Sequence, residues 1–290
     1  MVALAGSDKA KVFIARSAAM IDLARVADSA AQSSSCVLIL GERGVGKRLF
    51  AERLHSKSPR RAKPFVRVNC AALGGLSLQE AERALFERLA LADGSTLFLD
   101  EIGGIPLDLQ EALLNALQQN KCDGARLVCA ASDDLEQMAE QGKFLGDLFQ
   151  RLNVVTFRIP PLRERREDIM PLAEVFLKKF SDETKKNFAG FSEQAQKALL
   201  GHHWPGNVGE LKNSVERSCL LGTPPLADFV QAAWIPKSGQ TLKDAVNEFK
   251  KFYVERALKT SGARQADVAE SLGIQRTYLS RLIAELGIRQ

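Results

Sequence analysis

The chain has 290 residues, of which 46% are hydrophobic, 26% charged and 7% aromatic, a balance that excludes a disordered, collagenous or small disulfide-stapled protein. Its length accommodates two domains, or one large domain with a small appendage. The net charge of +5, from 40 Lys and Arg against 35 Asp and Glu, is too mild to define a partner by itself.

No run of about 18 apolar residues is present, and the opening MVALAGSDKAKVF lacks the basic and apolar regions of a secretory signal. No membrane partner is therefore expected, and the location read from the sequence is cytoplasmic. Cys36, Cys70, Cys122, Cys129 and Cys219 lack CxxC spacing and sit mostly in apolar runs such as SCVLIL and RLVCAA, so buried reduced thiols are expected. His55, His202 and His203 have no Cys or acidic partner at ligand spacing, which argues against a metal centre of their own.

The first chemical signal in chain order is VLILGERGVGKR, Val37 to Arg48, followed by LFAERLH with helical spacing. An apolar β-branched run passes into a glycine-rich loop and then a helix, the order of a phosphate-binding loop. Gly41, Gly44 and Gly46 let the backbone curl its N–H groups inward, Lys47 supplies a cation, and the helix adds its N-terminal dipole. Arg48 stands where a Ser or Thr would touch Mg²⁺ in the general pattern, so the loop is only partly diagnostic.

The second signal is TLFLDEI, Thr96 to Ile102, an apolar run ending in two adjacent carboxylates. A buried parallel strand delivers such acids to its C-terminal edge, where open α/β sheets bind ligands. In metal-assisted phosphoryl transfer Asp100 would hold Mg²⁺ and Glu101 would polarise the attacking water.

With PFVRVNCAAL, DLFQRLNVVTFRIPPLRERREDI and WPGNVGELKNSVERS, these segments resemble, in order, the AAA+ domain of bacterial enhancer-binding proteins, which activate sigma-54 RNA polymerase. The resemblance covers nearly the whole chain. It implies an α/β AAA+ P-loop core, a parallel sheet flanked by helices, over residues 1–165, and an all-α lid over 166–222. It implies rings with ATP held between neighbours. Gly41, Gly44, Gly46 and Lys47 match the phosphate loop, Arg48 is the next residue of that nucleotide site, and Asp100 and Glu101 match the Mg²⁺ and water-activating acids. Asn69 matches the switch partner of that glutamate, and Arg151 matches one of two arginines that reach a neighbour's ATP.

The departures from the family's pattern are as informative. Between VNCAAL and STLFLDEI the family carries a GAFTGA loop that grips sigma-54; LGGLSLQEAERALFERLALADG fills that gap and contains no such element. The other trans-acting arginine falls at Leu145, a group worth about 10³ to 10⁵ in rate in related chemistry. The polar Thr-Asn pair at a strand end reads Ala131-Ser132, the lid arginine after WPGNV reads Gly209, and Arg48 replaces a Glu. These losses weigh against fast ATP hydrolysis, while the loop and both acids favour ATP binding.

Two motifs keep open readings. PPLRERREDI is either a hinge with solvated charges or a segment in which Arg163 signals between core and lid. Trp204 to Asn207, WPGN, is a turn in which Asn207 or the glycine supplies the tight backbone.

Beyond Gly222 a proline- and glycine-containing stretch reads as a linker over 223–240. From Thr241 a helix is expected, with Leu242, Ala245, Val246, Phe249, Tyr253 and Ala257 on one stripe and Gly262 as its stop, suited to pairing with its own copy in a dimer. Over Arg264 to Gln290, small Ala269, turn-forming Gly273 and anchoring Leu279 have helix-turn-helix spacing, with Val268, Leu272, Ile274, Leu282 and Ile283 as core. The second helix would present Gln275, Arg276, Thr277, Tyr278, Ser280 and Arg281 to base edges and phosphates of double-stranded DNA.

The last fifty residues carry nine Lys and Arg against six acids, which places much of the excess charge there. This tail, 241–290, is similar to the Fis-type domain that ends enhancer-binding proteins; a hairpin that only dimerises is the alternative. SKSPRRAK, Ser56 to Lys63, reads as a solvated loop, with a second DNA contact as its alternative. The leading reading is a DNA-binding transcription regulator with an ATP-binding, partly degenerate AAA+ domain that does not itself remodel sigma-54 polymerase. Its partners would be DNA, its own copies, and RNA polymerase or a paralogous AAA+ regulator. The alternatives are an active ATPase using another polymerase contact and a nucleotide-independent scaffold.

Overall fold

The computed structural model describes residues 2–3, 12–119, 124–185, 188 and 190–221, and in the C-terminal part 246–247, 250–251, 254, 268–269 and 274–287. The chain divides into two compact units, Met1–Val230 and Gln231–Gln290.

In the first unit, β1 (Val2–Ala3) pairs antiparallel with β2 (Val12–Phe13), and α1 (Ala18–Ala30) follows. The main sheet takes its strands from β3 (Val37–Leu40), β4 (Phe65–Asn69), β5 (Thr96–Asp100), β6 (Arg126–Ala131) and β7 (Val155–Arg158). All neighbours pair in parallel, in the order β4-β5-β6-β3-β7. The connections are helical: α2 (Lys47–Ser56), α3 (Cys70–Leu73), α4 (Leu78–Leu91), α5 (Leu107–Gln118), α6 (Leu135–Glu140) and α7 (Gly146–Leu152).

The strand sequences explain the order. VLIL of β3, TLFL of β5 and RLVCAA of β6 are buried throughout, as strands covered on both faces must be, whereas β4 and β7 mix buried and exposed positions and form the edges. Side chains alternate between faces. Leu38, Leu97, Leu99 and Cys129 pack in a core with Leu85, Leu109 and Leu148 of the connecting helices, while Val37, Ile39, Phe98 and Val128 meet Met20, Phe50 and Leu54 on the other face. This is the α/β P-loop core implied by the sequence.

After β7 come 3-10 turns at Leu162–Glu164 and Arg166–Asp168, then the all-α lid of α8 (Ile169–Thr184), α9 (Glu193–Gly201) and α10 (Asn207–Leu221). Its core holds Leu172, Leu199, Leu211 and Val215 around Trp204, which is fully buried and donates its indole N–H to the Leu199 carbonyl at 2.9 Å. Trp204 and Asn207 both adopt left-handed backbone, at φ 52° and 54°, so the residues flanking Pro205 and Gly206 make the turn rather than the glycine.

In the second unit Val254, Val268, Ala269, Leu279 and Leu282 form a buried cluster, with Ile274 and Ile283 packed against it. The Ile274 N–H donates to the Ala269 carbonyl at 3.0 Å, and helix Arg276–Glu285 follows. Leu272 and Gly273, and the expected stripe residues Leu242, Ala245, Phe249, Tyr253 and Ala257, lie outside the described residues. Among the described residues no helix is long and apolar enough to cross a membrane.

Candidate functional site

The loop after β3 is shaped by its glycines. Gly44 has φ 79°, and a Cβ there would meet the Gly206 carbonyl at 2.3 Å, so no side chain fits between loop and lid. Gly46 has φ 106° and caps α2 with no side chain, which leaves the first-turn N–H groups without a side-chain cap; a Cβ built on it meets nothing within 4 Å. Uncapped N–H groups at a helix start, beside open space and a lysine, fit a phosphate.

Lys47 opens α2 and is only 6% exposed. Its ammonium donates to the Gly41 carbonyl at 2.8 Å and to the Ser132 hydroxyl at 2.6 Å, and lies 3.2 Å from Glu101 Oε1. Glu101 follows β5 in left-handed backbone, φ 55°. Its Oε1 accepts the Ser132 hydroxyl at 2.7 Å and its Oε2 accepts the Ser132 amide at 3.0 Å. Burial pushes the Glu101 carboxyl up, but the Ser132 hydroxyl, the Lys47 ammonium and the Ser132 amide together hold it below its ordinary 4.5.

The structure thus brings Gly41, Gly46, Lys47 and Glu101 into one place, and adds Ser132, which the sequence pattern marks only as a departure. Asn69 ends β4 in register with Asp100, and is exposed; no hydrogen bond joins it to Glu101 among the described residues. Asp100 Oδ2 instead accepts from Arg67 of the neighbouring strand at 2.7 Å. Arg48 turns along its own helix to Glu52 at 2.9 Å. Arg151 is exposed at the end of α7, donating to the Leu117 carbonyl at 2.8 Å, and Leu145 precedes that helix half-buried.

Arg67 meets Asp100 at one carboxylate oxygen, and Ser132 and Lys47 meet Glu101; a magnesium ion that arrives with a nucleotide takes only one or two carboxylates beside phosphate and water oxygens. Among the described residues no three His, Cys, Asp or Glu side chains gather to hold a metal ion. The side chains as placed fit a phosphate.

The lid closes on the loop through a polar cluster. Fully buried Asn207 donates to Glu42 Oε2 and the Arg43 carbonyl, each at 3.0 Å, and accepts the Leu162 amide at 2.8 Å. Arg163 makes a two-pronged contact to Glu42 at 2.6 and 2.9 Å, and the Gly209 amide donates to the Gly44 carbonyl at 3.3 Å. Arg165, 3% exposed, donates to the Val45 carbonyl at 2.7 Å, while Asp168 accepts the Arg16 and Ser17 amides and the Ser17 hydroxyl. The motif PPLRERREDI contains all three charged groups, but the sequence does not say what they touch. Of the two readings of Arg163, this geometry favours a link between core and lid.

Elsewhere Cys70, Cys129 and Cys219 are buried and Cys36 half-buried; burial pushes the Cys70 thiol up to about 12. Cys122 lies outside the described residues. In the second unit Gln275, Arg276, Thr277, Tyr278, Ser280 and Arg281 are all exposed, with Arg281 over the Tyr278 ring at 5.2 Å.

The fold and loop define a P-loop core with its helical lid. A family model described as the sigma-54 interaction domain matches residues 13–158, and one described as the AAA+ ATPase lid domain matches 163–245. The chain is 37% identical to the transcriptional regulatory protein ZraR of Klebsiella oxytoca, covering 87% of this chain and 64% of that protein. It is 35% identical to the regulatory protein AtoC of Escherichia coli (strain K12), covering 95% and 68%. The crystal structure of NtrX from Brucella abortus in complex with ATP superposes with a TM-score of 0.69 at 31% identity, covering 96% of this chain and 70% of that one. The chain belongs to the sigma-54 interaction domain family of AAA+ transcription regulators, and it spans less than two thirds of the length of ZraR.

The Glu42–Arg163 contact gives a pH test. Hydrogen bonds from Arg163 and Asn207 lower the Glu42 carboxyl from 4.5 to about 2. A carboxyl depressed by folding stabilises the fold above its unfolded value and loses that contribution as pH falls through the folded one. Both side chains are well exposed, so the effect is modest. Arg163→Met should lower the Tm near neutral pH, and the gap from wild type should close as pH falls from 4.5 towards 2. A gap that stays constant over that range contradicts the assignment.

Proposed function

We propose that this protein is a DNA-binding transcription regulator whose AAA+ core binds ATP with slow or no turnover, and which does not drive sigma-54 polymerase by the family's usual loop. The observation that carries the nucleotide reading is the uncapped start of α2 at Gly46, beside buried Lys47 and next to the acids that end β5. NtrX, its structural relative, is crystallised with ATP and with ADP. Gly41, Gly44, Gly46 and Lys47 would hold the phosphates, Glu101 would address the attacking water, and Arg151 would reach a neighbour's nucleotide in a ring.

Slow turnover is supported by Leu145 in place of an arginine, by Gly209 on the lid, and by Glu101 bound to Ser132 rather than to Asn69. Loss of the sigma-54 lever is supported by the segment after β4. There α3 ends at Leu73 and α4, Leu78–Leu91, occupies most of the segment before β5, so a short turn and one uninterrupted helix stand where the resemblance implies the family's loop. Such a regulator acts by repressing, by joining a mixed ring with a paralogous AAA+ protein, or through another surface of RNA polymerase. An exposed Arg151 favours the second reading, an active ATPase with a different polymerase contact.

DNA binding is assigned to the second unit, where exposed Gln275 precedes a short helix that carries the exposed Arg276, Thr277, Tyr278, Ser280 and Arg281, beside a buried cluster that includes Leu279 and Leu282. Paired copies of this unit would read two half-sites.

Two measurements test the proposal. Lys47→Ala should weaken binding of a fluorescent ATP analogue by about tenfold or more, the loss of one charge-assisted phosphate contact; unchanged affinity removes the nucleotide reading. Arg276→Ala should weaken duplex DNA binding and flatten its dependence on log salt by about one unit. An identical salt slope would move the phosphate contact elsewhere.

A further inference from the structure

We infer that Ser132 is the positioning residue for Glu101, and that Lys47, Ser132 and Glu101 form an internal latch that nucleotide must open. The inference rests on the nucleotide reading above and adds what keeps the site shut without ligand. Ser132 directly follows β6, and its hydroxyl is used twice, accepting from Lys47 at 2.6 Å and donating to Glu101 at 2.7 Å. Its amide takes the other carboxylate oxygen at 3.0 Å. A hydroxyl can bridge an ammonium and a carboxylate because it donates and accepts together; an alanine at this position cannot.

The ammonium has three protons. Around it stand the Gly41 carbonyl at 2.8 Å, the Glu42 carbonyl at 3.4 Å, Ser132 Oγ at 2.6 Å and Glu101 Oε1 at 3.2 Å. Its donors are therefore spent and its charge is met by a carboxylate of the same chain. A triphosphate arriving at α2 must take the place of Glu101 on Lys47. The acid that would address water is meanwhile bound through both oxygens, so releasing the lysine and freeing the acid are one event. Asn69, the partner implied by family resemblance, takes no part in this cluster.

The sign of one substitution separates this role from a contact with the bound nucleotide. With the full chain and a fluorescent non-hydrolysable ATP analogue, Ser132→Ala should tighten binding by about tenfold, the worth of one hydrogen bond to a charged group, and Ser132→Thr, which keeps the hydroxyl, should restore the wild-type value. Glu101→Gln should tighten binding as well, and Ser132→Ala added to it should change the affinity by less than about twofold, because both act through one contact. Weaker binding by Ser132→Ala would show that the hydroxyl serves the phosphate, and would overturn the latch while leaving the nucleotide reading intact. Additive tightening in the Glu101→Gln background would overturn the link through Glu101. Binding by neither wild type nor Ser132→Ala would remove the nucleotide reading and the latch together.

Discussion

The side chain of Asn207 holds three segments in one place. Its amide nitrogen serves the phosphate loop at Glu42 and Arg43, its carbonyl oxygen takes the amide of Leu162 where the chain leaves the sheet, and its own backbone starts the last lid helix. A fully buried amide that loses a partner leaves an unsatisfied polar group, which costs about 1 to 3 kcal/mol. The loop, the crossover and the lid are therefore fixed relative to one another by a residue none of them can release separately. The close approach of Gly44 to Gly206 follows from this, and it is why the loop tolerates no side chain at Gly44.

Around this joint the charged groups of the site are paired internally. Lys47 faces Glu101, Asp100 faces Arg67, Glu42 faces Arg163, and Arg48 faces Glu52. Pairing is what allows a lysine to be 6% exposed, because an isolated buried charge is strongly disfavoured. In such a site ligand binding is an exchange of partners, and the affinity is the difference between two well-bonded states. Under the proposed function, Leu145 and Gly209, where the family resemblance implies arginines, would withhold groups that favour the liganded side of that exchange.

Much of the core was legible in the sequence. Continuous apolar runs in VLIL, TLFLD and RLVCAA specify buried parallel strands, the glycine spacing specifies the loop, and a strand ending in two acids specifies where they emerge. What a single sequence does not carry is pairing between residues far apart. Ser132 meets Lys47 across a separation of 85 residues, and Asn207 meets Glu42 across 165. Nothing local marks either contact, since a serine after an apolar strand reads as a departure from a polar pair and an asparagine in WPGN reads as turn chemistry. Arg67 was hidden differently: it lies in an edge strand, where an exposed arginine is unremarkable until the acid beside it is known. In the second unit the expected core residues Val268 and Leu282 do gather, together with small Ala269 and anchoring Leu279, and Ile274 and Ile283 pack against them, because their apolar spacing marks them in the sequence.

If the lid and the phosphate loop form one polar joint, nucleotide must be felt by both. Hydrogen–deuterium exchange of the full chain, with and without a non-hydrolysable ATP analogue, tests this most directly. The account predicts altered protection at residues 41–47 together with residues 207–211, because Glu42, Arg43 and Gly44 are bonded to Asn207 and Gly209. A change confined to 41–47, with 207–211 exchanging as before, would contradict it.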